Sequence, residues 1–167
     1  MTILPSTISH KGWLAEGPED ARPALAEAMV KHCAGASRVV MYTPFKRTRI
    51  RDLQKAVPHL AEPLRDLESR LIDLHPVIRD YVYHPDFHGS FSLKDILHPL
   101  VPHLTYDDLI IVDGMVASVK IARLLFVAGK IPPEQRDKTR QDLLDYCERD
   151  TEAMVELLKS LKGLADV

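Results

Sequence analysis

Cysteine is scarce in this chain of 167 residues: Cys33 and Cys147 stand far apart, with no Cys-x-x-Cys pair. Such spacing suggests neither a disulfide framework nor a zinc ribbon and fits a reducing, cytoplasmic setting. Long apolar runs are missing as well. No window reaches the length of a membrane span, and the opening MTILPSTISHKGW lacks the basic segment and apolar run of a secretory signal. A soluble protein is expected. There is no Gly-rich phosphate loop, nucleophile elbow or His-Glu-x-x-His element, which removes the common nucleotide-binding, hydrolase and metalloprotease signatures. Positive charge is not in excess either: a net charge of -2 argues against a protein that grips nucleic acid with its whole surface and leaves only a local basic patch for that role.

What is present fits one domain over residues 1–167, a length sufficient for a substantial core. A short β-like piece is expected around TIS and GWLAE. A helix is expected over about 19–34, with Gly35 as its stop. The run Val39, Val40, Met41, Tyr42 reads as a buried strand, ended by Pro44 and placed at the sheet centre. Two helices follow, in KRTRIRDLQKAV and from near Pro63, and LIDLHPVI reads as a second strand. After a loop at YVYHPDFHGS, a short helix starts at Ser92, with Asp95 three residues on. Asp113 caps a helix through GMVASVKIARLLFVAG that Gly129 ends, and Pro132 and Pro133 open a last helical stretch to about Leu161, in one piece or bent near Cys147. The fold class is α/β, dominated by helices.

One acid interrupts the apolar seam of that last stretch. Leu143, Tyr146, Asp150, Met154 and Leu157 recur at spacings of three and four, so Asp150 points where its neighbours point, inward. An inward carboxylate is either structural, held by an arginine, a backbone donor or a buried water, or it is kept for a cation. Tyr146 lies one turn before it. Two further clusters carry the same choice. His84, Asp86 and His88 bring three metal-ligating types together, but Pro85 disrupts helical geometry and no cysteine is near, so a polar loop competes with a zinc site. Lys46, Arg47, Arg49 and Arg51 crowd the start of a helix, where they either draw a phosphate or form ion pairs with acids such as Asp52 and Asp66.

The segments VVMYTPFKRTRI, LIDLHPVIRDYVYHPDFHGSFSLKDIL, LVPHLTYDDLIIVDGMVAS and DLLDYCERDTEAMVELL together resemble a bacterial domain family of unknown function related to the DEDD 3′-to-5′ exonucleases, over about residues 12–158. The resemblance implies an RNase H-like fold whose sheet carries carboxylates for two divalent ions, Mg²⁺ or Mn²⁺, in in-line attack on a phosphodiester. It assigns the catalytic positions of the third motif to Tyr146 and Asp150. It makes Asp150 a metal ligand, with Asp73 of LIDL as a second one; Lys46, Arg47, Arg49 and Lys94 are the expected nucleic-acid contacts.

This chain departs from that pattern at the first motif, an Asp-x-Glu on the opening strand: residues 1–16 contain no aspartate, and Glu16 stands alone. At the second motif Tyr42 stands where the family carries an asparagine, and Lys46 follows Phe45 in place of an acid. Lys46 opposite Asp150 is expected to form an ion pair where metals would sit. The expectation is a truncated exonuclease-like domain, N-terminal strands missing, without independent nuclease activity and with a nucleic-acid or protein-binding role. One alternative is an active metal-dependent 3′-to-5′ exonuclease completed by another chain; another is a pure protein-interaction module. The missing hairpin should leave a sheet edge to be covered by a homodimer partner or another chain.

Overall fold

A computed structural model describes residues 8–165. Seven helices and two strands follow one another as α1 (Arg22–His32), β1 (Val39–Met41), α2 (Phe45–Ala56), α3 (Ala61–Ser69), β2 (Leu71–Asp73), α4 (Leu74–Tyr81), α5 (Leu93–Leu100), α6 (Gly114–Phe126) and α7 (Pro133–Ala165). Short 3₁₀ turns lie at Pro58–Leu60, Pro85–Phe87 and Ala128–Lys130. β1 and β2 pair in parallel, Val39 opposite Leu71 and Met41 opposite Asp73. Parallel neighbours need a long crossover, which α2 and α3 supply. The architecture is helix-rich α/β with a two-stranded sheet, so among the described residues β1 is one of a pair and not the centre of a wider sheet.

Local chemistry explains most boundaries. α1 begins at a proline in its first turn and gives way to Gly35 in the left-handed region (φ 74°), a conformation that costs glycine little. Ser92 caps α5 by accepting from the Asp95 amide, while its hydroxyl donates back to the Asp95 carboxylate at 2.7 Å. Asp113 caps α6 through the Val116 amide at 2.9 Å.

Three sequence expectations are corrected. Residues 12–16, read as β-like, form neither strand nor helix; the TIS piece begins at Thr7, outside the described residues. LIDLHPVI is a strand only to Asp73, because that side chain caps a helix starting at Leu74, whose first turn tolerates Pro76. α6 ends at Phe126 and not at Gly129, which lies in the following 3₁₀ turn. The closing stretch is one helix of 33 residues, with no break at Cys147.

The buried side chains form three groups. Ile50, Leu53, Leu64 and Leu67 join α1, α2 and α3. Tyr42, Leu74, Ile78, Ile96 and Leu157 join the end of β1 to α4, α5 and the second half of α7. Leu97, Val101, Leu104, Tyr106, Ile111, Ala117, Leu143 and Tyr146 join α5, the 101–113 loop, α6 and the middle of α7. α7 therefore runs past two of the three groups and ties them together. At its N-terminal side, Arg140 donates to the Leu14 and Ala15 carbonyls at 2.8 and 2.9 Å and pairs with Glu16, which fixes the irregular N-terminal segment along the helix.

Besides side-chain packing, one atom links the ends of both strands to α4. Asp73 Oδ1 accepts from the Thr43 amide at 2.9 Å and from the His75 amide at 3.0 Å. It thus caps α4 and steadies Thr43, a β-branched residue held at φ 68°, where such side chains are rarely found. Asp73→Ala should lower unfolding free energy in urea by about 2 kcal/mol, while Asp73→Asn, which keeps an acceptor oxygen, should lose less than half of that.

Candidate functional site

The site grows from the YDD and YCERD segments. Arg149 on α7 reaches across to the 101–113 loop, forming a two-pronged pair with Asp108 at 2.8 Å for each prong and donating to the Thr105 carbonyl. It also contacts Glu152 one turn on. The Arg149 guanidinium holds the Asp108 carboxyl below the usual carboxylate range. Clamped on both sides, Tyr106 is turned against α7, where its hydroxyl donates to Asp150 Oδ1 at 2.8 Å. Asp150 is thus held by a tyrosine hydroxyl, a donor that its seam position alone did not suggest.

Around this pair the surroundings are aromatic and cationic. The Tyr106 and Tyr146 rings lie 6.3 Å apart between centroids. The Lys94 ammonium, from the first turn of α5, sits over both, 5.1 Å from the Tyr106 ring and 5.9 Å from the Tyr146 ring. Burial and the neighbouring Asp150 carboxylate push the Tyr106 hydroxyl far above its ordinary range. The same two causes, in that order, push Tyr146 up to about 12. Both phenols are therefore protonated at neutral pH, suited to donating hydrogen bonds and not to serving as anionic ligands. An open cleft of about 450 Å³ lies alongside, lined by Lys94, Leu97, His98, Leu104, Thr105, Tyr106, Asp107 and Val112.

The sequence-assigned residues divide between this site and elsewhere. Tyr146, Asp150 and Lys94 come together; Asp73 is at the end of β2, with its oxygen engaged by two amides. Lys46 forms no ion pair with Asp150, a correction to expectation: Tyr106 fills that role, and Lys46 instead influences the Cys147 thiol, which burial and Asp150 raise. Of the basic cluster, Arg47 and Arg51 turn onto Glu68, at 3.7 and 2.7 Å, and Arg49 pairs with Asp52 at 3.0 Å while lying over the Phe45 ring. Asp66, expected among these partners, pairs with Arg70. At YHPDF, His84 Nδ1 accepts from the Asp86 amide and its ring packs on Phe87. Among the described residues no group of three or more His, Cys, Asp or Glu side chains is arranged to hold a metal ion.

Tyr106 and Arg149 were the residues that reasoning on the sequence missed. The seam pattern sees only one helix, and nothing in it announces which loop will cross. The adjacent YDD run was the available signal, since a tyrosine followed by an acid two residues later gives both the donor to Asp150 and the anchor for Arg149.

This helix-rich α/β chain belongs to a family defined as a domain of unknown function, DUF2779, whose profile matches residues 2–92, more than half of the chain. Comparison with curated proteins and with solved structures gives no significant match. Lys94, Tyr106, Tyr146 and Asp150 all lie beyond the matched span.

Tyr106→Phe should lower stability by about 1–2 kcal/mol by removing a hydrogen bond to a charged acceptor. A phenol whose folded pKa lies above its unfolded value, near 10, contributes stability that is complete below about pH 10 and is lost as pH rises through the folded value. Urea midpoints should therefore fall steeply above about pH 10 in the native sequence, and less steeply in Tyr106→Phe, with absorbance at alkaline pH reporting the phenolate.

Proposed function

We propose that the chain is an exonuclease-like domain of RNase H-like ancestry that does not cleave phosphodiesters by itself and acts as a binding domain. One observation carries this reading: both acids that the resemblance assigns to a metal pair are used as hydrogen-bond acceptors within the fold. Asp150 accepts from the Tyr106 hydroxyl, whose ring lies under the Lys94 ammonium, and Asp73 Oδ1 accepts from two backbone amides. Two divalent ions about 4 Å apart need several carboxylates to offset their charge. Two acids, each already engaged by donors within the fold, do not fit a pair of Mg²⁺ or Mn²⁺ ions.

A binding role draws support from the cleft beside Lys94, which offers one ammonium, the imidazole of His98 and apolar walls, with the Asp107 carboxylate at its lining as well. That combination suits contact with a single strand, where backbone charge and base faces are both accessible. With Arg47, Arg49 and Arg51 committed to acids, such contact would rest mainly on Lys94 and Lys46 and would be weak and salt-sensitive.

The test combines metal and substrate. An ion bound at a hundred times its dissociation constant adds about 2.7 kcal/mol to stability. The melting temperature should therefore stay unchanged with Mg²⁺ or Mn²⁺, and end-labelled single strands should remain intact. Degradation from a free end that chelator and Asp150→Asn both abolish would defeat the proposal; degradation appearing only after a second polypeptide is added favours the completed enzyme. Anisotropy with single-stranded DNA or RNA at low salt should show binding that Lys94→Ala weakens several-fold. Its absence at low salt favours the protein-interaction reading.

A further inference from the structure

α6 is apolar on two opposite sides. Ala117, Ile121 and Leu124 face the core group shared with α7. On the other side Met115, Val119, Ala122 and Phe126 follow one another at spacings of four, three and four, which in a helix makes a single narrow stripe. That stripe lies in solvent: Met115 is 77%, Val119 62% and Phe126 71% exposed. Val112, just before the helix, and Val127, just after it, are exposed as well. A helix with two apolar faces is normally covered on both, and a contiguous exposed stripe with this spacing marks a helix-packing surface.

We infer that the stripe is the contact between two copies of this chain, with their α6 helices antiparallel about a twofold axis passing between Lys120 and Ile121. The stripe is complementary to itself only in that arrangement. Met115 falls opposite the partner's Phe126, a thioether against a ring, and Val119 falls opposite the partner's Ala122, a larger side chain against a smaller one. In the same register Val127 falls opposite the partner's Gly114, which leaves it room against the start of that helix. A parallel pair would instead place Met115 on Met115 and Phe126 on Phe126, like against like.

Charge points the same way. α6 holds Lys120 and Arg123 and no acid, with Asp113 at its start and Lys130 shortly after its end. Arg123 and Lys130 have no ion pair within the chain among the described residues. Antiparallel pairing brings Asp113 of one copy to the C-terminal end of the other, where the partner's Arg123 and the partner's Lys130 stand. It also sets the two helix dipoles head to tail. A parallel pair would align like charges along its length. At Val112 this surface adjoins the cleft beside Tyr106.

Sedimentation of the full chain over a concentration series should show a dimer that dissociates on dilution, and Val119→Glu should sediment as a monomer with unchanged circular dichroism. Orientation has its own readout that does not depend on that variant folding. In a background of Cys33→Ser and Cys147→Ser, a chain carrying both Met115→Cys and Phe126→Cys should cross-link into disulfide dimers on mild oxidation, and Met115→Cys alone should not. A strict monomer throughout, a dimer that Val119→Glu leaves intact, or cross-linking by Met115→Cys alone overturns the inference. So does a monomer that binds anionic lipid vesicles through the same stripe, which would assign the face to a membrane surface.

Discussion

A carboxylate half withdrawn from water must be given a donor or give up its charge, and the centre of this protein is arranged around that requirement at Asp150. The donor is the Tyr106 hydroxyl, which sits in an irregular loop and would not be held there by backbone regularity. Arg149, one residue before the acid it indirectly serves, fastens the loop at Thr105 and Asp108. The same short stretch of α7 thus provides both the acceptor and the clamp that delivers its donor. Lys94 completes the set from α5, its ammonium against the two tyrosine faces.

The arrangement makes α7 the organiser of the fold. Leu143 and Tyr146 bury against α5 and α6, and Leu157 buries against α4 and α5, so a single rigid element spans two core groups. The first group, around α1, α2 and α3, is joined to the rest through the short sheet and the shared oxygen of Asp73. Asp73 and Asp150 thereby act as fasteners. On the proposed reading, loss of catalysis would free Asp73 and Asp150 to be kept for stability alone, and the direction of selection on each would change accordingly.

How far the sequence could be read depended on whether the deciding interaction was local. Asp113 and Ser92 announce their helices because a cap bonds amides two or three residues away, and both were legible. The seam through Leu143, Tyr146 and Leu157 was legible for the same reason, as period along one helix shows which side chains share a face. Asp73 was misread as mid-strand because capping and strand pairing both suit LIDL, and the tertiary contact with Thr43 is remote in sequence. Lys46 was given to Asp150 on a logic of opposite charges, but the loop that carries Tyr106 reaches the acid instead. The exposed stripe of α6 was hidden by its own composition: with apolar residues on both sides, nothing in GMVASVKIARLLF indicates which side meets the core.

The grip of Arg140 on residues 14–16 sets an order of events during synthesis. These partners are separated by more than a hundred residues, so the segment before α1 has no anchor until α7 has been made. While the ribosome is still at work, α1 to α3 can collapse on their own contacts, but the leading stretch stays loose. Its docking is a closing act, and residues 14–16 are among the last of this domain to find their place.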